Sequence, residues 1–305
     1  MCGRRSPQPG VVIHTVRVGV VDIGTNSMRL LIRDSETGDI GRWVEVTGLG
    51  RGVDATGVLS DDAIDRTLEV FTRFGDLMVE HHVTARRAIA TSATRDAANR
   101  EGFLDRAAAV LGVRPDVIGG SEEGELAYAG ATSDLGSGEY VISDIGGGST
   151  EFVTADRVVS IDIGSVRLSD RLLPDRPAAP GQIAESRNHV ASLFTGIDVS
   201  GEVVGVAGTW TSLAAVDMGL DMYDRDLVHH HRMERRSLEA LVDRLAGLTV
   251  EETAAIPSLD PKRAPVILSG AVVAAAVFDA AGVESVTISE CDSLDGVAMR
   301  MLGWA

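Results

Sequence analysis

The sequence is poor in cysteine and in positive charge. Its two cysteines among 305 residues, Cys2 and Cys291, exclude a disulfide framework and make a reducing cytoplasmic compartment the default expectation. Lysine and arginine together number 28, against 45 aspartates and glutamates, which gives a formal net charge of −17. This charge argues against nucleic-acid or membrane partners, because both require a basic surface. A polyanionic ligand would have to be bound by local cations, backbone N–H groups and a metal ion.

Long apolar runs are also missing. No uninterrupted apolar segment is long enough to span a bilayer, which again predicts no membrane partner. Basic residues precede a short apolar run at the start of the chain, but Pro7, Pro9 and Gly10 interrupt this signal-like pattern. We therefore interpret residues 1–14 as a flexible tail. With 44% hydrophobic and 24% charged residues, the remaining chain suits a globular protein of two domains.

The most informative stretch is EYVISDIGGGSTEFVT, at residues 139–154. Two apolar runs separated by glycines predict a strand, a tight turn and a second strand. The glycines at 146–148 permit positive φ and a close approach to a ligand, and consecutive N–H groups of such a turn can converge on phosphate. Asp144 and Glu151 are oxygen donors suited to a hard cation such as Mg²⁺. A plain glycine-rich hairpin is the alternative.

A second copy of this arrangement occurs at residues 18–32, VGVVDIGTNSMRLLI. Its Asp22, Ile23, Gly24 and Ser27 align with Asp144, Ile145, Gly146 and Ser149 of the first. Two hairpins of one design, far apart in the chain, predict two similar lobes that each offer a phosphate loop to a shared cleft. Strands and helices alternate through both halves, so the predicted class is α/β.

Further candidate ligand groups follow predicted strands. Arg95 lies just past a short strand at 86–92, where its guanidinium could bind phosphate or carboxylate, or could be a solvated or salt-bridged arginine. Gly208 and Thr209 lie in a strand–helix turn that suits an anion, although many such turns look alike. Of the basic residues in the second half, Lys262 and Arg263 are the strongest candidates.

Two glutamates lie in the first turn of a helix that Ser121 is predicted to cap. Glu122 and Glu123 could simply complement the helix dipole, or one could face the cleft as a general base that the dipole keeps ionised.

The consecutive histidines at 229–231 do not favour a shared metal ion, because neighbouring side chains point in different directions. Ser60 is predicted to cap a helix that runs to about His81.

Together these stretches resemble the exopolyphosphatase / guanosine pentaphosphate phosphohydrolase (Ppx/GppA phosphatase) family. The matching segments follow the family's order: VVDIGTNSMRLLI, VTGLGRGVDATGVLSDDAI, AIATSATRDAANR, IGGSEEGELAYAG, ISDIGGGSTEF, IGSVRLSDRLL, VAGTWTSLAA and DPKRAPVILSGA. The resemblance implies two RNase H-like lobes, as in actin, sugar kinases and heat-shock chaperone ATPases. We expect the N-terminal lobe at 15–130 with the closing helix 293–305, and the C-terminal lobe at 131–292.

The resemblance also implies a function. It implies hydrolysis of the terminal phosphate of polyphosphate or of pppGpp, with Mg²⁺ or Mn²⁺ as cofactor, in a cytoplasmic homodimer. Glu123, or Glu122 in its place, would be the base, and Asp144 and Glu151 would organise metal and water. The implied phosphate ligands are Asp22, Gly24, Thr25, Asn26 and Ser27 of one loop, Gly146, Gly147, Gly148, Ser149 and Thr150 of the other, and Arg95.

Two departures from the family pattern qualify this expectation. Thr47 and Gly48 stand where the family's usual VRLGEG motif carries its arginine, and Arg51 is the nearest replacement. The extra helical domains of longer relatives do not follow the second lobe, which predicts a preference for short polyphosphate chains. The rival hypotheses are a kinase of the same fold with a nucleotide pocket around residues 208–210, and a non-catalytic sensor that binds ppGpp or polyphosphate.

Overall fold

Two β-sheets organise the computed structural model, which describes residues 15–197 and 199–304. The predicted tail at 1–14 lies outside the described residues. The first sheet contains β1 (Arg17–Ile23), β2 (Ser27–Asp34), β3 (Gly38–Val46), β4 (Ala85–Ala90) and β5 (Asp116–Val117), in the spatial order β3-β2-β1-β4-β5. The second contains β6 (Tyr140–Ile145), β7 (Thr150–Val153), β8 (Val158–Ile161), β9 (Glu202–Val206), β10 (Arg232–Glu234) and β11 (Ser285–Ile288), in the order β10-β11-β9-β6-β7-β8.

Helices cover both sheets. Those of the first half are α1 (Val53–Thr56), α2 (Asp61–Glu80), α3 (Ser92–Asp96), α4 (Arg100–Leu111) and α5 (Gly120–Ala131). Those of the second half are α6 (Ser165–Leu172), α7 (Pro180–Phe194), α8 (Ala207–Asp217), α9 (Arg225–Val228), α10 (Arg235–Ala246), α11 (Val250–Ala254), a 3-10 turn (Pro261–Arg263), α12 (Ala264–Ala281) and α13 (Ser293–Leu302). The predicted cap of α2 is confirmed, because the Ser60 side chain accepts a hydrogen bond from the Ala63 N–H group.

The two sheets begin with the same topology. β1, β2 and β3 form an antiparallel meander with β4 parallel to β1, and β6, β7 and β8 form a second meander with β9 parallel to β6. The predicted class is therefore confirmed: the fold is α/β, with two lobes whose sheets begin alike. In each lobe the first hairpin turn carries one of the two glycine motifs.

Helix α12 is the core helix of the second lobe. Its buried side chains run from Ala264 to Phe278. The segment Pro261–Ala281 is long and apolar enough to cross a membrane by length and composition, which the sequence expectation did not anticipate because Ser269 and Asp279 interrupt its apolar run. In this fold 78% of the apolar window is buried inside the protein, as expected for a helix that packs between sheet and surface helices.

The chain passes between the two sheets twice, between β5 and α5 and after β11, and α5 packs on β6, β7 and β8 of the second sheet. Helix α13 packs against α5, β1 and β2, so the chain ends on the sheet where it began. The α5–α13 contact is close enough to require glycine: a Cβ atom on Gly130 would overlap the carbonyl oxygen of Asp292, and one on Gly296 would overlap that of Leu126. The loop after α5 also meets the segment after β11, with the Cys291 Sγ atom 3.9 Å from Asp134 Oδ2.

Candidate active site

The two glycine turns face each other across a narrow cleft of about 70 Å³. A Cβ atom on Gly147 would lie 2.8 Å from the Thr25 Cβ atom, and one on Gly148 would overlap the Ser92 hydroxyl. The described backbone has no positive φ at Gly146, Gly147 or Gly148, so that part of the sequence prediction is wrong. These glycines are needed because the opposing loops approach each other closely.

The cleft brings together most of the residues that the sequence analysis singled out. Those lining it are Asp22, Gly24, Thr25, Asn26, Ser27, Glu123, Asp144, Gly146, Gly147, Gly148, Ser149, Gly208, Thr209 and Arg263. They come from the β1–β2 turn, the start of α5, the β6–β7 turn, the start of α8 and the turn before α12. Arg95, Thr150 and Glu151 do not line it.

Thr150 and Glu151 lie behind the second glycine turn. The Thr150 hydroxyl donates to the Ile163 carbonyl oxygen at 2.6 Å, so it fixes the loop after β8 instead of facing the cleft. Glu151 is 1% exposed and its Oε1 atom accepts a hydrogen bond from the Ser160 hydroxyl at 2.6 Å. It lies directly across the β6–β7 ladder from Asp144, so the two carboxylates form one buried pair.

The two glutamates of α5 have separate environments. Glu122 pairs with Arg87 at 3.1 Å, and its side chain is 40% exposed. Glu123 lines the cleft, and its side chain is only 15% exposed. Helix α5 begins at Gly120 with Gly119 as its N-cap residue, so the predicted cap at Ser121 is wrong. Ser121 instead lies inside the first turn, next to both glutamates.

Burial and mutual repulsion raise the pKa values of the carboxyl groups around the cleft. Burial raises the pKa of Glu123 well above its ordinary value, and the charges of Glu151 and Asp144 add to this. Burial, followed by the Glu151 charge, likewise raises the pKa of Asp144 well above its usual range. Burial raises the pKa of Glu151 to about 7, against the opposing hydrogen bonds from Ser160 and Ser149. The cleft therefore concentrates negative charge.

Two arginines lie beside these carboxylates. Arg95 Nη1 donates to the Ile118 carbonyl oxygen at 3.0 Å and lies 3.9 Å from Glu123 Oε2. Arg95 therefore lies beside Glu123, the candidate base, without lining the cleft. Arg263 extends over Gly208, where a Cβ atom would overlap its guanidinium group, and Nη2 donates to the Ser27 hydroxyl at 3.3 Å. Arg263 thus links the second lobe to the first phosphate loop.

Sequence reasoning missed Arg29. Its guanidinium lines the cleft and bonds to Asp22, to Asp292 at the start of α13 and, at 3.2 Å, to the Ser293 hydroxyl. A charged residue within the otherwise apolar strand MRLLI was the available signal. Burial nevertheless raises the pKa of Asp22, an effect that outweighs the neighbouring Arg29 charge.

Arg167 of α6 was also missed. Its Nε atom donates to the Gly148 carbonyl oxygen at 2.8 Å, and its other nitrogens pair with Asp54 at 2.8 Å and Asp96 at 2.7 Å. Asp54 and Asp96 belong to α1 and α3, so this arginine holds the second glycine turn against the first lobe. Its side chain is 13% exposed, which makes it a partly buried ion-pair centre between the lobes.

The oxygen atoms at the cleft suit a hard divalent cation. Among the described residues, Asp22 Oδ1, Asn26 Oδ1 and Glu123 Oε2 are buried without a hydrogen-bond partner. Mg²⁺ and Mn²⁺ prefer carboxylate, amide and water oxygens, and a cation would offset the repulsion that raises these pKa values. The donor set around Asp144 and Asp22 therefore fits the predicted metal.

The histidine run does not converge on one ion. The ligand atoms of Asp134, His229 and Cys291 lie within 4.8 Å of one another, whereas His231 pairs with a different carboxylate. His229 Nδ1 accepts the Glu290 N–H group at 3.1 Å, which leaves the proton on Nε2, 2.6 Å from Asp134. Burial raises the pKa of the Cys291 thiol to about 12. Hydrogen bonds therefore satisfy this cluster.

Comparison with known proteins finds similar sequences and structures over nearly the whole chain. The model of the Ppx/GppA phosphatase family matches residues 32–304. The chain is 38% identical to Exopolyphosphatase 2 of Mycobacterium tuberculosis, over 94% of this chain and 99% of the relative. A solved exopolyphosphatase-like protein is 34% identical, with a TM-score of 0.88, over 94% of this chain and 99% of that one. The Aquifex aeolicus Ppx/GppA family member is 29% identical, with a TM-score of 0.79, over 95% and 98%.

Proposed function

The chain belongs to the Ppx/GppA phosphatase family, and from this premise we propose that it is an exopolyphosphatase. In the proposed reaction, water attacks the terminal phosphorus of inorganic polyphosphate and the shortened chain leaves. The observation that carries the proposal is the Glu123 Oε2 atom, which is buried without a hydrogen-bond partner among the described residues, at a cleft that both glycine turns line. A carboxylate oxygen free in this position suits a general base toward water.

The surrounding residues would bind and orient the substrate. The two turns offer hydroxyl groups from Thr25, Ser27 and Ser149, and Arg263 and Arg29 supply positive charge at the same cleft. Holding the terminal phosphate and water in line is a large part of phosphoryl-transfer catalysis. Arg95, 3.9 Å from Glu123, favours the ionised carboxylate and so opposes the rise in its pKa.

Mg²⁺, or Mn²⁺, is the cofactor that we propose. Asp144 and Asp22 line the cleft and would hold it, with Asn26 Oδ1 as a further donor. The proposed role of Glu151, the cross-strand partner of Asp144, is to add negative charge next to that aspartate. When bound, the ion would offset charge on the phosphate oxygens.

The test compares two adjacent glutamates. Glu123→Gln should lower kcat for polyphosphate hydrolysis about 10²–10⁴-fold, while polyphosphate binding, measured by titration calorimetry, changes much less. Glu122→Gln is the matched control, because Glu122 pairs with Arg87 outside the cleft. Equal activity of Glu123→Gln and wild type would refute the assignment of the base. Binding without phosphate release by the wild-type protein would favour a sensor.

A second candidate function is hydrolysis of pppGpp. A cavity of about 400 Å³ adjoins the cleft and shares Arg29, Gly208 and Arg263 with it. Its wall includes apolar and aromatic side chains, among them Val44, which is 51% exposed, and Tyr223, which is 41% exposed. A polyphosphate chain has no apolar surface to bury against this wall, whereas the nucleoside of pppGpp could pack on it.

Substrate competition separates the two candidates. Phosphate release should be measured with Mg²⁺ on polyphosphate, pppGpp and ATP side by side. Under the polyphosphate assignment, Tyr223→Ala lowers kcat/KM for pppGpp and leaves kcat/KM for polyphosphate within about twofold, since stacking on an aromatic ring stabilises only a base. Faster wild-type release from pppGpp than from polyphosphate would reverse the assignment.

A further inference from the structure

A second polar cavity lies on the seam between the lobes, on the far side of the first phosphate loop from the cleft. It has a volume of about 490 Å³ and opens to solvent. We call it the basic cavity; it is lined by Glu45, Val46, Thr47, Gly48, Arg51, Arg66, Glu69, Val70, Arg73, Lys262 and Pro265. The first lobe supplies all of these residues except Lys262 and Pro265.

The charge of this cavity is opposite to that of the protein. Four of its lining side chains are cationic, Arg51, Arg66, Arg73 and Lys262, and two are anionic, Glu45 and Glu69. The lining therefore carries a formal charge of 4 − 2 = +2 in a chain whose net charge is −17. A local positive concavity in an acidic protein focuses the electrostatic potential and raises the local concentration of anions.

The cations are only partly neutralised. Glu45 is shared between Arg73 at 3.0 Å and Lys262 at 3.4 Å, and these side chains are 54% and 60% exposed. The Arg66 guanidinium donates to the Thr47 carbonyl oxygen at 3.3 Å, a neutral acceptor that leaves its charge uncompensated. Exposed pairs of this kind contribute little to stability, so stability does not account for the cluster.

The basic cavity and the catalytic cleft share a wall. The N–H groups of Thr47 and Gly48 donate to the Asn26 carbonyl oxygen at 3.0 and 2.9 Å, so the lining of the cavity supports the first phosphate loop. On the other lobe, Lys262 lines the cavity and its neighbour Arg263 lines the cleft. A ligand that extends from Arg263 toward Lys262 would therefore enter the basic cavity.

We propose that the basic cavity binds the distal phosphates of a polyphosphate chain whose terminal phosphate occupies the catalytic cleft. The inference rests on the proposed function. The basic cavity would be a second phosphate subsite of the proposed exopolyphosphatase. A short substrate such as tripolyphosphate would not reach this subsite from the catalytic cleft. The ligand chemistry is a flexible run of phosphates, which exposed Lys and Arg side chains bind without demanding a fixed geometry.

Charge reversal tests the subsite. The double variant Arg51→Glu and Lys262→Glu should raise KM for long-chain polyphosphate about tenfold or more, an effect that shrinks with added salt because the charges are exposed. KM for tripolyphosphate should change by less than about twofold. Arg106→Glu is the matched control: Arg106 is 52% exposed on α4, does not line the basic cavity, and should leave both values unchanged.

A variant of opposite sign makes the test sharper. Glu69→Gln removes an exposed negative charge from the lining, so it should lower KM for long chains and leave tripolyphosphate hydrolysis unaffected. A merely structural role of the cavity would not produce opposite shifts from these two changes. Equal KM shifts on short and long chains, or none, would overturn the subsite while phosphate release by the wild type still supports the function. No release from any polyphosphate would overturn the function itself.

Discussion

The two glycine hairpins have the same backbone design and opposite electrostatics. In the first, Asp22 lies across the ladder from Arg29, which also bonds to Asp292. In the second, the equivalent Asp144 lies across from Glu151, another carboxylate. In the first hairpin, Arg29 therefore pairs with the aspartate, whereas in the second hairpin a second carboxylate occupies the equivalent cross-strand position. A duplicated hairpin can thus acquire two roles through one cross-strand position.

The largest effect should follow from removing the neutralising cation. Arg29→Met leaves Asp22 and Asp292 buried without their partner, so we expect a loss of about 3–5 kcal/mol in the free energy of unfolding, measured with denaturant. The control is Arg106→Met on α4, whose arginine is 52% exposed and pairs with Asp65, which is 62% exposed, and it should cost about 1 kcal/mol at most. Similar losses in both would show that Arg29 does not balance the first hairpin.

A smaller effect, on activity, should separate the two aspartates. Asp144→Asn removes the carboxylate that we propose for the cation and should lower kcat about 10²–10³-fold. Asp22→Asn, whose charge Arg29 already balances, should cost roughly tenfold less. Unfolding of Asp144→Asn at neutral pH should require no less denaturant than wild type, because the change relieves repulsion with Glu151. Equal kcat losses would contradict the division of roles.

The unbalanced hairpin should also make stability depend on pH. Burial raises the pKa of Glu151 from 4.5 to about 7, so the folded state holds a proton that the unfolded state releases, and stability falls as pH rises across this interval. Without divalent cations we expect a loss on the order of 1–3 kcal/mol between pH of about 5 and about 8. Glu151→Gln should flatten this slope, whereas a steady gain in stability across the interval would exclude the effect.

The smallest difference concerns the turns themselves. A Cβ atom on Gly24 would lie 2.9 Å from the Ser27 carbonyl oxygen, and one on Gly146 would lie 3.2 Å from that of Ser149. Gly24→Ala should therefore destabilise the protein more than Gly146→Ala, by about 1 kcal/mol. Thermal unfolding of the two variants checks this, and the reverse order would mean that the second turn is the more rigid.

Local pattern was enough to predict the paired hairpins, the α/β class and the Ser60 cap, because each depends on residues close together in sequence. The glycine turn was placed correctly, but the reason for its glycines was not, since Thr25 and Ser92 approach it from elsewhere in the chain. Arg29 escaped notice for the same reason: Asp292, its second partner, lies 263 positions away.

The choice between Glu122 and Glu123 shows the same limit. Both glutamates satisfy the helix dipole equally well, and adjacent residues on a helix differ mainly in the direction of their side chains. Arg87 on one side and the cleft on the other distinguish them, and both depend on how α5 packs between the sheets. Tertiary packing carries this information.

The close contact between α5 and α13 has a mechanical consequence. Helix α5 packs on the second sheet and α13 on the first, and their contact leaves no room for a Cβ atom on Gly130 or Gly296. Surfaces packed this closely cannot slide past each other without steric overlap. We therefore expect the cleft to change its width by rotation about the α5–α13 contact, which keeps the two phosphate loops facing each other.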